Sequence, residues 1–389
     1  MLPKRLFSVA QVFKLCIDEP AAGGDIETSR YQVYPCPMTV AALPVTPAAL
    51  GFSVPAEWSL HEATWMAWPH TEDLWVGGYL DGTRQEFAAF INTLARYERV
   101  ELLVANDECE QDARRRLSGN IRFHSLDYSD VWLRDSGPIF VKNSAGENLI
   151  TDWEFNGWGN KYDSAPDNKI PQYVARFLGA GFVSPGLVME GGSLEPNGEG
   201  VILTTKQCLL SKERNPLLSQ KDIEQALRSY LGAQKVIWLG DGLENDHTDG
   251  HIDTITRFTG PNTIVTCVCE DTQDPNHTVM AENLDILRSA TDTHGKPFSI
   301  IELPLPRNRL ELEGGRLAAT YANFYICNGA VLVPQYDDPL DAQALEILKP
   351  LFPGRDVIGT PGRALITGGG SFHCVTQQQP IGPIWSKYD

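Results

Sequence analysis

Apolar and polar positions along the chain fall into one order several times over: an apolar run, a turn, a second apolar run, an amphipathic stretch and a last short apolar run. The clearest copy begins near Ala318. Apolar runs at 321–327 and 330–333 flank Asn328-Gly329, a dipeptide that favours a two-residue hairpin because both residues tolerate positive φ. Leu340, Ala344, Leu345 and Leu348 then recur at helical spacing, which predicts a helix over 340–348 with one apolar face. A short strand at 357–358 closes the unit.

An earlier copy runs from Leu187. Two strands flank Asn197-Gly198, and Ile223, Ala226, Leu227 and Tyr230 mark one face of a helix over 223–231, followed by a strand at 236–239. Another starts at His251, with a strand at 264–269, a helix at 279–290 and a strand at 299–303. A fourth starts at Val131, with a hairpin around Ala145-Gly146, a helix after Asp167 and a short strand at 181–183. The unit from Ala63 has a strand, a helix at 87–97 and a strand at 100–104, but no hairpin partner. Segments 364–367 and 372–376 offer the missing strand. Starts at 63, 131, 187, 251 and 318 make five ββαβ units of roughly 60 residues. They predict an α/β fold built as a five-bladed, pseudo-symmetric α/β propeller, since radial repetition leaves few exposed strand edges. An open α/β sheet is the alternative.

Residues 1–49 break the pattern. Lys4 and Arg5 precede an apolar stretch interrupted by Gln11 and Lys14, and Pro35, Pro37, Pro44 and Pro47 follow. This reads as a poorly structured extension, with a targeting segment left open, ahead of one folded domain over 50–389. No apolar run approaches the roughly 20 residues that span a bilayer. The eight cysteines are scattered and include no CxxC pair, which favours a reduced, cytoplasmic setting over a disulfide framework. Cys267 and Cys269 are expected as core thiols on one side of a strand. Against 32 basic residues stand 50 acidic ones, a net charge of −18. That argues against nucleic acid and anionic membranes as partners and suits a small cation. Homo-oligomerisation stays open.

Unusual polar residues gather at the unit starts: Asp130 and Trp132 to Asp135 in one, Glu190-Gly191-Gly192-Ser193 in the next, and His247-Thr248-Asp249-Gly250-His251-Ile252-Asp253 in a third. The closing segment adds Gly368-Gly369-Gly370-Ser371-Phe372-His373-Cys374. In a ring, equivalent strand ends meet at the middle. Each residue has a plain alternative. Cys374 is a buried thiol, His251 and Asp253 a structural pair on one face of a strand, Asp135 the partner of an arginine, Glu190 a turn cap and Trp132 a core residue. Together they are one thiol, one imidazole and three carboxylates. A thiol attacks as thiolate, with a reference pKa of about 8.5. Carboxylates around it oppose ionisation unless they hold a cation. A planar, cationic guanidinium carbon fits that requirement. Its hydrolysis needs a nucleophile, an acid for departing ammonia and a base for water.

Trp132-Leu133-Arg134-Asp135-Ser136-Gly137-Pro138, Phe155-Asn156-Gly157-Trp158-Gly159, Glu190-Gly191-Gly192-Ser193, Thr248-Asp249-Gly250-His251-Ile252-Asp253 and the segment from Gly368 to Gln378 together resemble the agmatine deiminases and their Porphyromonas-type peptidylarginine deiminase relatives, in the guanidine-modifying pentein superfamily. The resemblance covers about Gly51 to Pro380. It implies a five-bladed α/β propeller, a catalytic deiminase domain over 50–389, and hydrolysis of agmatine to N-carbamoylputrescine and ammonia without cofactor or metal. It implies that Cys374 is the nucleophile and that His251 serves as acid and base. Asp135 and Asp253 grip the guanidinium, Glu190 orients His251 and contacts substrate, and Trp132 packs along the alkyl chain. A peptidylarginine or protein-arginine deiminase shares these residues. Other classes are a metal-dependent hydrolase using His247, Asp249, His251 and Asp253, and a noncatalytic binding propeller.

Overall fold

The computed structural model describes residues 45–75 and 77–386. The expected extension therefore lies outside the described residues up to residue 44, together with Cys16 and Cys36. Its last part is ordered: Pro47–Leu50 form a 3-10 turn capped by Gly51 in the left-handed region (φ 81°). No helix among the described residues is long and apolar enough to cross a membrane.

The strands build five main sheets. The first holds β1 (His61–Ala67), β2 (Arg99–Val104) and β3 (Ile121–Ser125), all parallel. The second holds β4 (Ile139–Lys142), β5 (Asn148–Thr151) and β6 (Phe182–Val183); the third β7 (Glu195–Pro196), β8 (Val201–Thr205) and β9 (Lys235–Leu239). The fourth holds β10 (Thr256–Gly260), β11 (Thr263–Val268) and β12 (Ser299–Pro304). A small hairpin, β13 (Glu311–Leu312) with β14 (Gly315–Arg316), precedes the fifth sheet of β15 (Tyr325–Ile326), β16 (Ala330–Gln335) and β17 (Asp356–Pro361). In sheets two to five the first strand runs antiparallel to the second, and the third runs parallel to the second. A helix makes each parallel crossover, as parallel neighbours require. Finally β18 (Gln377–Pro380) pairs antiparallel with β1. It gives the first sheet the strand its own segment lacks.

The local chemistry explains these elements. In the third sheet's helix, Gln220–Leu231, Ser219 caps the start in a capping box with Asp222, and Gly232 ends it at φ 71°. Such a cap stabilises by about 1 kcal/mol. Ile223, Ala226, Leu227 and Tyr230 are buried, as their spacing predicts. The Asn328-Gly329 hairpin forms, closed by the Cys327 N–H to Ala330 carbonyl bond of 2.9 Å.

Several expectations are corrected. The strand completing the first sheet is Gln377–Pro380, not 364–367 or 372–376: Leu365–Gly368 is a 3-10 turn, and residues 372–376 turn sharply. Val131 does not begin a strand, because Leu133–Ser136 is one helical turn. His251 and Asp253 are likewise not on a strand but on the 3-10 turn Ile252–Thr254, held by the Thr254 hydroxyl donating to the His251 carbonyl at 2.8 Å. Cys267 is a core thiol, whereas Cys269 is only half-buried at the end of its strand. The helix Asp107–Arg116 and strand β3 add to the first unit beyond the repeat.

Candidate active site

Each chemically unusual segment lies just ahead of the first strand of a sheet, where a short turn replaces regular pairing. Leu133–Ser136 precedes β4, Gly191–Ser193 precedes β7, Ile252–Thr254 precedes β10 and Cys374 precedes β18. Gly192 shows how closely they converge. A β-carbon there would lie 2.6 Å from His251 Nδ1, 2.7 Å from Asp135 Oδ1 and 3.0 Å from Asp253 Oδ2. Only the bare α-carbon of glycine admits that approach.

Asp135 is oriented by two donors: the Gly192 N–H reaches Oδ1 and the Trp158 indole N–H reaches Oδ2, both at 2.9 Å. Trp158 is aimed by an unusual backbone, for Gly157, Trp158, Gly159 and Asn160 all have φ between 55° and 85°. The left-handed region costs a non-glycine residue roughly 1–2 kcal/mol. Asp253 Oδ2 bonds His373 Nδ1 at 2.7 Å and lies 3.6 Å from Cys374 Sγ. His373 Nε2 meets Glu57 Oε2 at 2.6 Å, and Glu57 also pairs with Arg257 at 2.8 Å. Asp253 Oδ1 and both ring nitrogens of His251 are buried without a hydrogen bond. Native structures rarely leave such groups unpaired.

Burial pushes the Cys374 thiol far above its ordinary range, and the charges of Asp253 and Asp135 add to the effect. Asp135 is also pushed well up, by burial first and then by Asp253 and Glu190. Burial lowers His251 to about 3, so its imidazole is neutral at physiological pH. Burial raises Asp253, but the hydrogen bond and charge of His373, with His251 and Arg257, more than offset it, leaving it below the usual carboxylate range. A cation seated between these carboxylates reverses the logic by favouring both thiolate and carboxylate.

Cys374, Asp135 and Trp132 line a cavity of about 390 Å³. Trp132 forms a wall against the glycine triplet, where a β-carbon on Gly370 would come 2.7 Å from its ring. Glu190 differs from expectation. Its carboxylate is fully buried and bound by Arg214 Nε at 2.8 and 3.0 Å, and no hydrogen bond joins it to His251. Arg214 continues to Asp249 and to the Thr248 carbonyl, and nothing in the spacing of the sequence marked it. Asn323, which donates to Cys374 Sγ at 3.2 Å, also escaped notice. It lies two residues ahead of β15, the counterpart of the other site segments, so extending the repeat to the fifth unit is the signal that finds it. His373 and Trp158 stood inside recognised motifs without a role.

The metal-ligand reading of His247, Asp249, His251 and Asp253 does not fit the placement. His247 meets the Tyr162 hydroxyl at 3.2 Å, and Asp249 is paired with Lys161 and Arg214. Glu190, Cys208 and His251 do offer ligand atoms within 4.8 Å of one another, but the Arg214 guanidinium already occupies the Glu190 oxygens.

The chain matches the Porphyromonas-type peptidyl-arginine deiminase family over residues 53–380. It is 39% identical to the agmatine deiminase of Pseudomonas fluorescens, across 86% of this chain and 97% of that protein. Agmatine deiminase of Enterococcus faecalis has a similar structure, with a TM-score of 0.83, 32% identity, and coverage of 87% of this chain and 98% of that one. A C. jejuni agmatine deiminase with substrate bound gives a TM-score of 0.79 at 32% identity, covering 85% and 97%.

Proposed function

The chain belongs to the Porphyromonas-type peptidyl-arginine deiminase family, and on that premise we propose that it hydrolyses agmatine to N-carbamoylputrescine and ammonia. The observation that carries the reading is the meeting of Cys374, Asp135, Asp253 and His251, from segments far apart in sequence, beside a cavity with an acidic lining. Asp135 and Asp253 grip the guanidinium nitrogens. The bound cation favours loss of the Cys374 proton to the neutral His251. The thiolate adds to the guanidinium carbon, and His251 returns the proton to the departing nitrogen, releasing ammonia and leaving a thiouronium. His251 then takes a proton from water, hydroxide adds to the same carbon, and collapse expels the thiolate with the ureido product. Glu190, held by Arg214, sets the charge beside His251, and Trp132 packs along the alkyl chain.

In this reading residues 50–389 are the catalytic domain, and the five sheets are blades of a pseudo-fivefold propeller of ββαβ units. Its support is the shared strand order of four sheets and the completion of the first by β18. The cavity wall favours agmatine over free arginine. Asp73, Asp130, Asp135 and Glu313 line it, and burial pushes Asp130 up to about 7. Arg316 is the one lysine or arginine among the described lining residues, and it is already paired with Asp274 at 2.6 Å and Glu244 at 3.3 Å. Arg134 turns away toward the His373 carbonyl and Gln377, and Lys161 is bound to Asp249. A substrate carboxylate buried here finds no free partner and costs several kcal/mol.

The test is parallel ammonia and ureido-product assays on agmatine, arginine and a C-terminal arginyl peptide, with Cys374→Ser as the inactive control. We expect kcat/KM for agmatine to exceed that for arginine by at least about a hundredfold, roughly 2.7 kcal/mol. Equal efficiency on the carboxylate-bearing substrates overturns the choice of agmatine and leaves deimination standing.

A further inference from the structure

We infer that His373 is a positioning residue for the reaction: clamped between Glu57 and Asp253, it donates from both ring nitrogens, aims Asp253 at the guanidinium and offsets the carboxylate charge beside the nucleophile. The inference rests on the proposed roles of Cys374, Asp135 and Asp253 and adds to them two residues that act through Asp253. The His373 ring lies 2.7 Å from Asp253 Oδ2 through Nδ1 and 2.6 Å from Glu57 Oε2 through Nε2. An ionised carboxylate only accepts, so each ring nitrogen carries a hydrogen and the ring a positive charge. Glu57 is fixed from all sides. Its Oε2 also accepts from Arg257 at 2.8 Å and stands 3.6 Å from Arg134 Nη2, and its Oε1 accepts from the Ile326 N–H at 2.8 Å. Burial pushes Glu57 up, but the charges of Arg257, His373 and Arg134, with the His373 hydrogen bond, more than offset it and hold it well below the usual carboxylate range. Burial also raises Glu195, yet both its oxygens accept, from Arg257 Nε at 2.8 Å and the Phe258 N–H at 2.7 Å. Tyr325, nearby, is kept a neutral phenol by burial and by the charges of Glu98 and Glu57. Glu57, Glu195 and Asp253 are thus three buried carboxylates facing two guanidiniums, Arg257 and Arg134. An unpaired buried charge is strongly destabilising, and the His373 cation closes the balance.

The other side of the ring meets the site. Asp253 Oδ2, the oxygen that His373 holds, is also the one 3.6 Å from Cys374 Sγ. Held there, Asp253 presents Oδ1, which has no hydrogen bond of its own, to the substrate. The negative charge nearest the sulfur is offset where a thiolate must form. Asp135 has only neutral donors, the Gly192 N–H and the Trp158 indole, and His251 is neutral as well. Among the described residues, His373 is therefore the cation in hydrogen-bond contact with this pair of carboxylates. Because Glu57 comes from the segment ahead of β1 and His373 from the segment ahead of β18, the same contact ties the two ends of the described chain to the geometry of the site.

The experiment compares the full-length enzyme with His373→Leu, His373→Asn and Glu57→Gln, reading kcat/KM for agmatine against pH. Binding needs Asp135 and Asp253 ionised, so the acid limb of that profile reports the two carboxylates together. Loss of the adjacent cation makes them harder to ionise and moves the limb to higher pH. His373→Leu should move it up by about one unit and lower kcat/KM at pH 7 about 10- to 100-fold. His373→Asn restores a neutral N–H toward Asp253 Oδ2, so it should recover part of the rate while the limb stays displaced. Glu57→Gln keeps the ring but removes the carboxylate that holds its second hydrogen, and should move the limb the same way by less. A limb that stays in place or moves to lower pH in His373→Leu, whatever the loss of rate, reduces His373 to a structural residue and overturns the inference. If the variants do not fold, neutron diffraction from the unmutated enzyme decides: deuterium must occupy both ring nitrogens of His373, and a single one is refuting. If the parent does not turn over agmatine, or Cys374→Ser remains active, the proposed function itself fails. If the parent is active through Cys374 and the limb does not move, only this inference falls.

Discussion

Adding one methyl group at Gly192 should disable the enzyme while leaving it folded. The α-carbon does not lie in the left-handed region, so an alanine backbone fits. The new β-carbon, however, would meet His251 Nδ1 at 2.6 Å and Asp135 Oδ1 at 2.7 Å. Against an ordinary contact of roughly 3.5 Å, these overlaps are about 0.9 and 0.8 Å. Neither neighbour is the free end of a long, flexible side chain. His251 is completely buried, and Asp135 is tied to Trp158 and to the Gly192 N–H itself. The two side chains proposed to act in the reaction must therefore separate by most of an ångström. A misplacement of that size costs about a hundredfold in rate, and the overpacking costs about 1–3 kcal/mol of stability. Gly192→Ala should lower kcat/KM for agmatine at least a hundredfold in a continuous ammonia assay, with a cooperative melt lowered by several degrees. Gly260→Ala, where the added carbon meets open space, is the control and should keep parental activity. A Gly192→Ala enzyme within threefold of the parent refutes the convergence of His251 and Asp135 on this atom.

Two further outcomes follow from buried charge. Arg214→Met strands Glu190, whose side chain is fully buried, and should cost about 3–5 kcal/mol in urea unfolding; adding Glu190→Gln should recover part of that loss, and strict additivity contradicts the pairing. His251 titrates near 3 when folded and near its ordinary value when unfolded. The unfolded chain therefore binds more protons between those values, and this residue's contribution to stability falls as pH drops through that window, by at most about 1.4 kcal/mol per pH unit. Asp130 and Asp167, pushed by burial up to about 7, slope the opposite way, so the quantity to measure is the difference between the parent and His251→Asn at pH 7 and pH 5. That difference should fall on acidification, and one that stays constant contradicts a buried neutral imidazole.

What could be read from the sequence follows from which forces are local. The Asn328-Gly329 turn and the apolar face of Ile223, Ala226, Leu227 and Tyr230 are local and periodic, and from them the repeat emerged. The site segments are legible from their residue types, but their conformation is not. The alternation of His251 with Asp253 reads as a strand, whereas the Thr248 hydroxyl accepting from the His251 N–H and the Thr254 hydroxyl donating to the His251 carbonyl fold them into a turn. The family resemblance implies that Glu190 orients His251, and only the tertiary structure sets Arg214 between Glu190 and Asp249. Asn323 stands where the repeat points, yet its contact with Cys374 spans 51 positions, and Glu57 is an ordinary residue in an unremarkable context whose contact with His373 spans 316.

The pairing of β18 with β1 also bears on timing during synthesis. β1, the first strand among the described residues, must wait for most of the chain before β18 arrives, and until then that edge is open to unwanted pairing. Cys374 sits only three residues ahead of β18. The same late event therefore covers the open edge and delivers the sulfur proposed to attack. A nascent chain has three of the four groups proposed to do the chemistry long before the fourth, and it stays chemically silent until the fold can enclose what it would attack.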